Sequence, residues 1–426
     1  MICLLGPDFL FGIALGQLSS ARRCVKMFEN DKALGQPTKF TYRQAFFVNM
    51  GGIFLTSPDF PNGFPITGKQ LHYLVKHGHV EFPDMESMSI DERNTTDTLS
   101  RLLTIWQVTW FSIVEFQRIH IGLPLTTLEL TALSFVFVMI GTSICWLRKP
   151  SISRPRFIPT KNEKRLEDIR AEARQTTHPD LTDTWYRTPV DFVSERPWMI
   201  GKHWAYYTRL AEMLHLKIVS RPITSHPWDR LPSDTFLPLD MFFVPFGAVF
   251  LFTFGISFTL AWNFHFPTPT ERLLWRIFSL YHIIFVSIGG LYTLMGIIQW
   301  AKQDGRQPAA QPQDSYHRLP LRDSSPEVVA QGVDPEVQGV AGIESPSGIL
   351  RYMHRFRLWI GSWRNITADQ DPEFTVQLRI VGPVTVLCAS YIIARAYIYA
   401  EDLISLRSQP AGVYLTVNRF VPFLGS

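Results

Sequence analysis

Long runs of apolar residues, separated by charged stretches, constrain this chain more than any other feature of its sequence. A membrane-crossing helix needs about 20 mostly apolar residues, because each residue adds about 1.5 Å across a hydrocarbon core of about 30 Å. The runs that meet this requirement are 101–119, 123–147, 238–264, 273–300 and 375–398. The pattern predicts an all-α polytopic membrane protein with five to six transmembrane helices, large and partly helical cytosolic loops, and a disordered linker.

The start of the chain is a further apolar segment with two readings. It is interrupted by Asp8 and Gln17 and followed by Arg22 and Arg23. The segment is either a short span or a helix lying in the membrane interface. No cleavable signal peptide is predicted, because no basic region precedes the apolar residues.

Composition divides the chain into regions that alternate between membrane and water. In chain order these are a first span or interfacial helix (1–20), a soluble segment (21–100), a transmembrane hairpin (101–147), a polar loop region (148–237), a second transmembrane hairpin (238–300), a disordered linker (301–347), a juxtamembrane segment (348–374), the last transmembrane helix (375–398) and a C-terminal tail (399–426). The linker is predicted to be disordered because it is rich in Gln, Pro, Asp, Ser and Gly and has almost no aromatic residues.

Two shorter stretches within the polar regions carry their own predictions. Residues 45–55 are apolar but too few to cross a membrane, which predicts a buried or re-entrant segment. Residues 161–174 alternate acids and bases three and four positions apart, which predicts a solvated helix.

The distribution of basic residues predicts the orientation in the membrane. Lys and Arg beside membrane segments stay on the cytosolic side. Basic clusters follow the first, third and fifth apolar segments, which predicts cytosolic loops at 27–100, 148–237 and 301–374 and a C-terminal tail on the opposite side. Asn94 and Asn365 each begin a glycosylation sequence, and this topology leaves both unmodified.

Charge and cysteine content exclude several classes of site. The net charge of +4 is too small to imply a nucleic acid partner. Cys3, Cys24, Cys145 and Cys388 stand apart from one another without metal-ligand or redox spacing. Neither a phosphate-binding loop nor a hydrolase motif is present. The sequence therefore predicts no metal and no cofactor.

Charged side chains inside apolar segments are the candidates for chemistry, because a charge in lipid is costly. They are Glu115, Arg118, Glu129, Arg276, Arg379, Arg395 and Glu401. One interpretation is that their long side chains reach the membrane surface from near the span ends. The other is that they pair inside the protein.

The pairing interpretation gives one catalytic hypothesis. Glu115 and Glu129 lie on adjacent helices near one turn, so both could open into one cavity as a carboxylate pair. Such a pair could provide a general acid for a cyclisation or a proton transfer. His282, within the fifth apolar segment, is interpreted as structural rather than catalytic.

Several stretches resemble a large family of uncharacterised integral membrane proteins of filamentous fungi. They are LGPDFLFGIALGQLSSARR near the start, AFFVNMGGIFL, GLPLTTLELTALSF, TPVDFV, LAWNFHFPTPTERLLWRIFSL and ARAYIYAEDLISLRSQPAGVYLTV near the end. Relatives carry a further apolar segment before the first stretch, and an apolar residue where Asp402 follows Glu401. The resemblance implies a link with specialised-metabolite gene clusters, since some members are encoded beside polyketide or peptide synthases.

Three classes of function follow from these observations. The first is an accessory or scaffold protein of fungal specialised-metabolite biosynthesis in an endomembrane such as the endoplasmic reticulum. The second is a membrane-embedded cyclase or isomerase acting on a lipophilic polyketide- or terpenoid-type intermediate. The third is a small-molecule transporter. The expected partners are the lipid bilayer and either biosynthetic enzymes or a lipophilic small molecule, with no nucleic acid.

Overall fold

The computed structural model describes most of the chain outside the predicted linker. The described residues are 6–31, 40–83, 94–150, 155–216, 223, 225–232, 235–304, 361, 363–367 and 370–415, without the side chains of 94–102 and 303–304. Apart from its first four residues, the predicted linker 301–347 lies outside this set. Its disorder therefore stays a prediction.

The described helices and strands follow one another in this order: α1 (Pro7–Asn30), α2 (Tyr42–Asn49), β1 (Ile53–Ser57), β2 (Phe60–Pro65), α3 (Gly68–Lys76), α4 (Asn94–Ile121), α5 (Thr127–Cys145), β3 (Arg156–Pro159), α6 (Leu166–Thr176), α7 (Met199–Met213), α8 (Val244–Ser257), α9 (Pro269–Asp304) and α10 (Leu378–Ile404). Short 3-10 turns extend α8 to Asn263 and α10 to Arg407. The fold is therefore mostly helical.

Four helical segments in the described part of the chain are long and apolar enough to cross a membrane. They are Thr127–Cys145, Met241–Asn263, Pro269–Lys302 and Leu378–Arg407. They correspond to four of the five long apolar runs, which supports the membrane class. Their outer surfaces are apolar, as lipid contact requires.

The remaining long run, 101–119, lies on α4, which is not among those four segments. Its sequence includes the polar residues Gln107, Glu115 and Arg118. Its exposed side chains are nevertheless large and apolar, with Trp106 66% and Phe116 65% exposed. The crossing of the membrane by α4 therefore stays a prediction. A turn at Gly122, whose φ of +80° suits glycine, joins α4 to α5 as the predicted hairpin.

Helix α1 is enclosed by other parts of the protein along much of its length. Its first half packs through Phe11 and Leu15 into the core of the helix bundle. Its second half packs through Val25 and Phe28 into the core of the soluble domain. The sequence could not show this burial, because it comes from neighbours distant in sequence. The two readings of the segment, a short span or an interfacial helix, both stay predictions.

A small three-stranded sheet shares one apolar core with α2, α3 and α6 in the soluble part. Its strand order is β2-β1-β3, with β1 antiparallel to β2 and parallel to β3. The prediction of an all-α fold is wrong here, because the strands are only four to six residues long and leave little periodic signal. The parallel pair joins the regions 21–100 and 148–237, which the sequence presents as separate segments, into one domain.

The charged stretch 161–174 contributes to a surface helix, as its charge pattern predicts, but one face of this helix is buried. Helix α6 runs from Leu166 to Thr176 and buries Leu166, Ile169, Arg170 and Ala173. The guanidinium of Arg170 donates to the carbonyl oxygens of Pro189 and Thr182 at 2.6 and 2.8 Å. The spacing of the apolar residues puts one face of α6 into the soluble core, so the helix is amphipathic.

The prediction that the segment 45–55 is buried is confirmed. Its buried residues lie in α2 and β1.

The bundle has two distinct ends. At the end beside the soluble domain, Arg23 of α1 donates to the Pro238 carbonyl oxygen at 2.8 Å, and the Trp300 indole of α9 donates to the Arg196 carbonyl oxygen at 3.2 Å. At the other end, Arg118 donates to the Val413 carbonyl oxygen at 2.8 Å. The described parts of the long loops and the short turns therefore lie at opposite ends of the bundle, and the side of the membrane on which each lies stays a prediction.

Candidate functional site

A cavity of about 460 Å³ lies where the soluble domain meets the helix bundle. Its walls come from one face of α1, the start of α3, the connections around 187–198 and 228–238, and the end of α9. These segments are far apart in sequence, so only the tertiary fold creates the cavity.

One side of the cavity is formed by α1. Ser20, Cys24 and Met27 line it, because residues spaced by three and four lie on one face of a helix. Helix α3 approaches this face at Gly68, where a Cβ atom would overlap the Cys24 Sγ. The Asn49 side chain connects the two helices: its Oδ1 accepts from the Gly68 N–H at 2.8 Å, and its Nδ2 donates to the Ser20 Oγ at 3.2 Å.

Aromatic residues form much of the remaining wall. Trp198, Trp228, Phe236 and Trp300 all line the cavity. The Trp198 indole N–H donates to the Phe236 carbonyl oxygen at 2.6 Å, and that of Trp300 is bound to a backbone oxygen as described above. These two indoles therefore need no hydrogen bond from a ligand, and the wall is suited to an apolar one.

The lining of the cavity is strongly basic. Its ionisable cations are Arg23, Lys26, Lys69, Arg187 and Arg196, against the single carboxylate of Glu195. Arg23 lies 3.1 Å from that carboxylate. Arg187 is also paired, with Asp371 and Glu373. Among the described residues, the other three cations form no ion pair, which leaves the cavity with excess positive charge.

Arg187 is held by two acids next to the cavity. Its Nε lies 3.2 Å from Asp371 Oδ2, and its guanidinium also donates to Glu373. Burial raises the pKa of Asp371, and the charge of Arg187 opposes that rise.

Burial also raises the pKa of the Cys24 thiol, so the thiol stays protonated. Cys24 is therefore unsuited to act as a nucleophile in this cavity.

The predicted catalytic pair lies elsewhere, at the α4–α5 turn. Glu115 and Glu129 flank Arg118, at 4.0 Å from its Nε and 2.9 Å from its Nη1 respectively. Glu129 also closes a capping box, because its Oε2 accepts from the Thr126 N–H at 2.8 Å. The Oε2 of Glu115 is buried without a hydrogen-bond partner among the described residues. The two carboxylates are thus brought together with a guanidinium between them, and their catalytic role stays a prediction.

The other charged residues of the apolar segments divide into two groups. Arg276 donates to the Trp262 carbonyl oxygen near a span end, and Arg379 is exposed at the start of α10. Arg395 and Glu401 are 2% exposed, so their side chains are enclosed by protein and do not extend to its surface. The buried His282 contacts the Phe278 carbonyl oxygen through Nδ1 at 2.9 Å, which fits its structural interpretation.

Sequence reasoning missed the cavity entirely. Its cations come from three separate segments and match no motif. The signal in the sequence was the basic cluster after the first apolar segment, which includes Arg23 and Lys26 and which was interpreted as a mark of the cytosolic side. The interaction of Asp8 and Asp402 with Arg395 was missed for the same reason, because these residues come from distant parts of the sequence and match no motif.

Comparison with known proteins adds no assignment: no family model, curated protein or solved structure matches this chain. Within the described residues, no group of three or more His, Cys, Asp or Glu side chains could hold a metal ion. The function is therefore argued from the cavity itself.

Proposed function

We propose that this protein is a membrane-resident accessory component of fungal specialised-metabolite biosynthesis that binds a lipophilic small molecule bearing an acidic group. The observation that carries the proposal is the basic, aromatic-walled cavity between the bundle and the soluble domain. Its volume of about 460 Å³ falls within the range of small-molecule sites.

The position of the cavity suits a molecule that partitions into lipid. Trp300, in its wall, lies near the end of the candidate span Pro269–Lys302, at the depth where indole rings favour the membrane interface. An amphiphile can therefore keep its apolar part near the bundle and place its acidic group beside Lys69 and Arg196. Charge-assisted hydrogen bonds from such cations to a carboxylate or phosphate are about twice as strong as neutral ones.

The biological setting rests on the sequence resemblance. The motifs shared with membrane proteins of filamentous fungi occur along nearly the whole chain, and some of those proteins are encoded within biosynthetic gene clusters. We place the protein in an endomembrane, with the endoplasmic reticulum as the first choice, because lipophilic intermediates collect in such membranes.

Binding of a defined amphiphile tests the cavity. The probes are a long-chain fatty acid and the alcohol of equal chain length, titrated into purified full-length protein in a nonionic detergent and followed by tryptophan fluorescence. We expect the acid to bind more tightly than the alcohol. Lys69→Glu and Arg196→Glu should each weaken acid binding about tenfold, the loss of about 1.4 kcal/mol.

The matched control is Lys161→Glu, a charge reversal at an exposed lysine outside the cavity. It should leave binding unchanged. Equal affinity for the acid and the alcohol, or an equal loss in the Lys161 variant, would exclude the basic cavity as the binding site.

Metabolite profiles of a strain lacking the gene test the biological role. Extract and medium are compared separately with those of the parent, and with a strain expressing the Lys69→Glu variant. Accumulation of a precursor in the deletion and Lys69→Glu strains supports the proposal. A product that is made normally but retained inside the cells favours a transporter. Identical profiles in both fractions contradict a metabolic role under those conditions.

A membrane-embedded cyclase or isomerase is the second candidate, favoured by the buried Oε2 of Glu115, which has no hydrogen-bond partner among the described residues and lies 4.0 Å from Arg118 Nε. A protonated carboxyl held there could donate its proton to a lipophilic substrate. Glu115→Gln and Glu129→Gln test this, and Gln at 129 preserves the capping box. Unchanged product formation with Glu115→Gln, in protein that reaches the wild-type level, excludes this candidate.

A further inference from the structure

A buried guanidinium lies deep inside the helix bundle. Arg395 is 2% exposed and belongs to the candidate span Leu378–Arg407. It is 17 residues from the start of that span and 12 from its end, or about 25 and 18 Å along a helix. Because arginine keeps its charge in proteins, this position needs a compensating negative charge.

Aromatic rings surround the guanidinium on several sides. Its Cζ lies 4.8 Å from the ring centre of Phe254, 5.2 Å from Phe258 and 5.0 Å from Tyr399. The rings of Phe135 and Tyr391 lie at 5.5 and 5.8 Å. Ring faces attract a cation, but they do not cancel its charge. None of its three nitrogens makes a hydrogen bond of ordinary geometry with the described residues.

Two carboxylates supply the negative charge. Asp8, at the start of α1, interacts electrostatically with Arg395, and its Oδ2 accepts a hydrogen bond from the Tyr391 hydroxyl at 2.9 Å. Asp402, 1% exposed and seven residues after Arg395, also interacts with it. One oxygen of Asp8 and both oxygens of Asp402 are buried without a hydrogen bond of ordinary geometry from the described residues.

The titratable groups around this cluster do not provide a second positive charge. They are His282 from α9 and Tyr391, Tyr399 and Glu401 from α10. A second positive charge on His282 would be repelled by Arg395. Helices α5 and α8 face the cluster with Thr127, Thr131 and the phenylalanines named above. Two acids and one permanent cation are therefore enclosed together.

We propose that Asp8, Asp402 and Arg395 form an intramembrane proton-binding site, in which one proton resides on one or the other of the two carboxylates. With both acids ionised, the cluster would carry a net charge of −1 in a low-dielectric interior. Binding of one proton makes it neutral: an O–H bond forms on one carboxyl, and the other carboxylate balances the guanidinium. This proposal does not depend on the ligand cavity.

The proton has a polar way out towards one end of the bundle. Asp402 lies beside the hydroxyl groups of Thr127 and Thr131. The Thr127 hydroxyl is 3.1 Å from that of Ser405, near the end of α10. The site can therefore exchange its proton with the membrane face opposite the soluble domain.

Neutralising variants test the charge balance through thermal unfolding of the full-length protein in detergent. Asp8→Asn and Asp402→Asn each leave one carboxylate against Arg395, so each should change the Tm by less than about 2 °C. The double variant leaves the guanidinium uncompensated and should lower the Tm by about 5 °C or more. Adding Arg395→Gln to the double variant should recover most of that loss.

Single variants as damaging as the double variant would show that one acid cannot replace the other in balancing Arg395, which overturns the proposal. A double variant as stable as the single variants would overturn it as well. Infrared spectroscopy gives a direct readout. The wild-type protein should show a protonated-carboxyl band that shifts in heavy water, and this band should weaken in Asp8→Asn and in Asp402→Asn. Glu271→Gln, at an acid paired with Arg407, is the control and should leave the band unchanged. Absence of such a band overturns the proposal.

A comparison of the Tm in sodium and in potassium distinguishes a bound proton from a bound metal cation. Replacing potassium with sodium at constant ionic strength should leave the wild-type Tm unchanged. A rise in Tm with sodium that disappears in Asp402→Asn would assign the site to sodium and overturn the proton assignment.

Discussion

The Gln70 side chain joins two parts of the soluble domain that are more than 100 residues apart in sequence. It is 3% exposed. Its Oε1 accepts from the Thr67 N–H at 2.9 Å, which caps α3. Its Nε2 donates to the Val190 carbonyl oxygen at 3.0 Å and to the Ser194 Oγ at 3.3 Å. Replacement by leucine removes the part of the cap that the Gln70 side chain provides, together with both distant bonds, while keeping a similar volume.

The expected cost of Gln70→Leu follows from these bonds. Loss of the cap costs about 1 kcal/mol. Each distant hydrogen bond contributes about 0.5–1.5 kcal/mol. The Val190 oxygen keeps a bond from the Val193 N–H, so it is not left bare and no larger penalty is added. The free energy of unfolding of the soluble domain should therefore fall by about 2–4 kcal/mol.

Gln44 provides a matched control. It forms the same capping box at the start of α2, with Oε1 accepting from the Thr41 N–H at 2.8 Å, but it makes no comparable distant bond with the described residues. Gln44→Leu should cost about 1 kcal/mol. The difference of about 1–3 kcal/mol measures the docking of the 187–198 connection onto α3.

Hydrogen exchange read by mass spectrometry measures this difference locally. Amides of β1 and α3 that exchange through opening of the domain should exchange about 5 to 150 times faster in Gln70→Leu than in Gln44→Leu. Peptides from α9 in the bundle serve as an internal reference. Equal acceleration in the two variants would refute the reasoning, since it would mean that the distant bonds contribute nothing.

Three further predictions concern the soluble domain and the topology. Burial lowers the pKa of His79 and His178 below the 6.5 of the unfolded chain, so their contribution to stability is full above about pH 6.5 and is lost as the pH falls towards their folded pKa values. The Tm should therefore drop between pH 7.5 and 5.5, and it should drop less steeply in a His79→Gln/His178→Gln variant. The control His120→Gln, at an exposed site, should not change this pH dependence of the Tm. Leu55→Ala, at a fully buried position of β1, should lower the free energy of unfolding by about 2–5 kcal/mol in a denaturant titration, and a cost below 1 kcal/mol would contradict the described core. Enzymatic deglycosylation should not change the size of the protein on a gel, because Asn365 lies on the predicted cytosolic side; a shift that disappears in Asn365→Gln would invert the topology.

The membrane class was determined by the sequence alone. About 20 consecutive apolar residues have few structural alternatives, because an unpaired backbone is too costly in lipid. The hairpin around Gly122 was predictable because the link between the two apolar segments is so short. The positions of the basic clusters also predicted which segment ends lie at the same end of the bundle. The start of α5 was also readable, since Thr126 and Glu129 form a local capping box.

Only the tertiary structure decided where the remaining polar groups meet. The parallel pairing of β1 with β3 joins residues about 100 positions apart, and such a short strand leaves no periodic signal of its partner. Asp8 in an apolar segment signalled an exception, but it could not name Arg395 nearly 390 residues later. Burial and charge compensation depend on neighbours in space. The cavity and the buried cluster therefore arise from packing between helices, whereas the helices themselves follow from local composition.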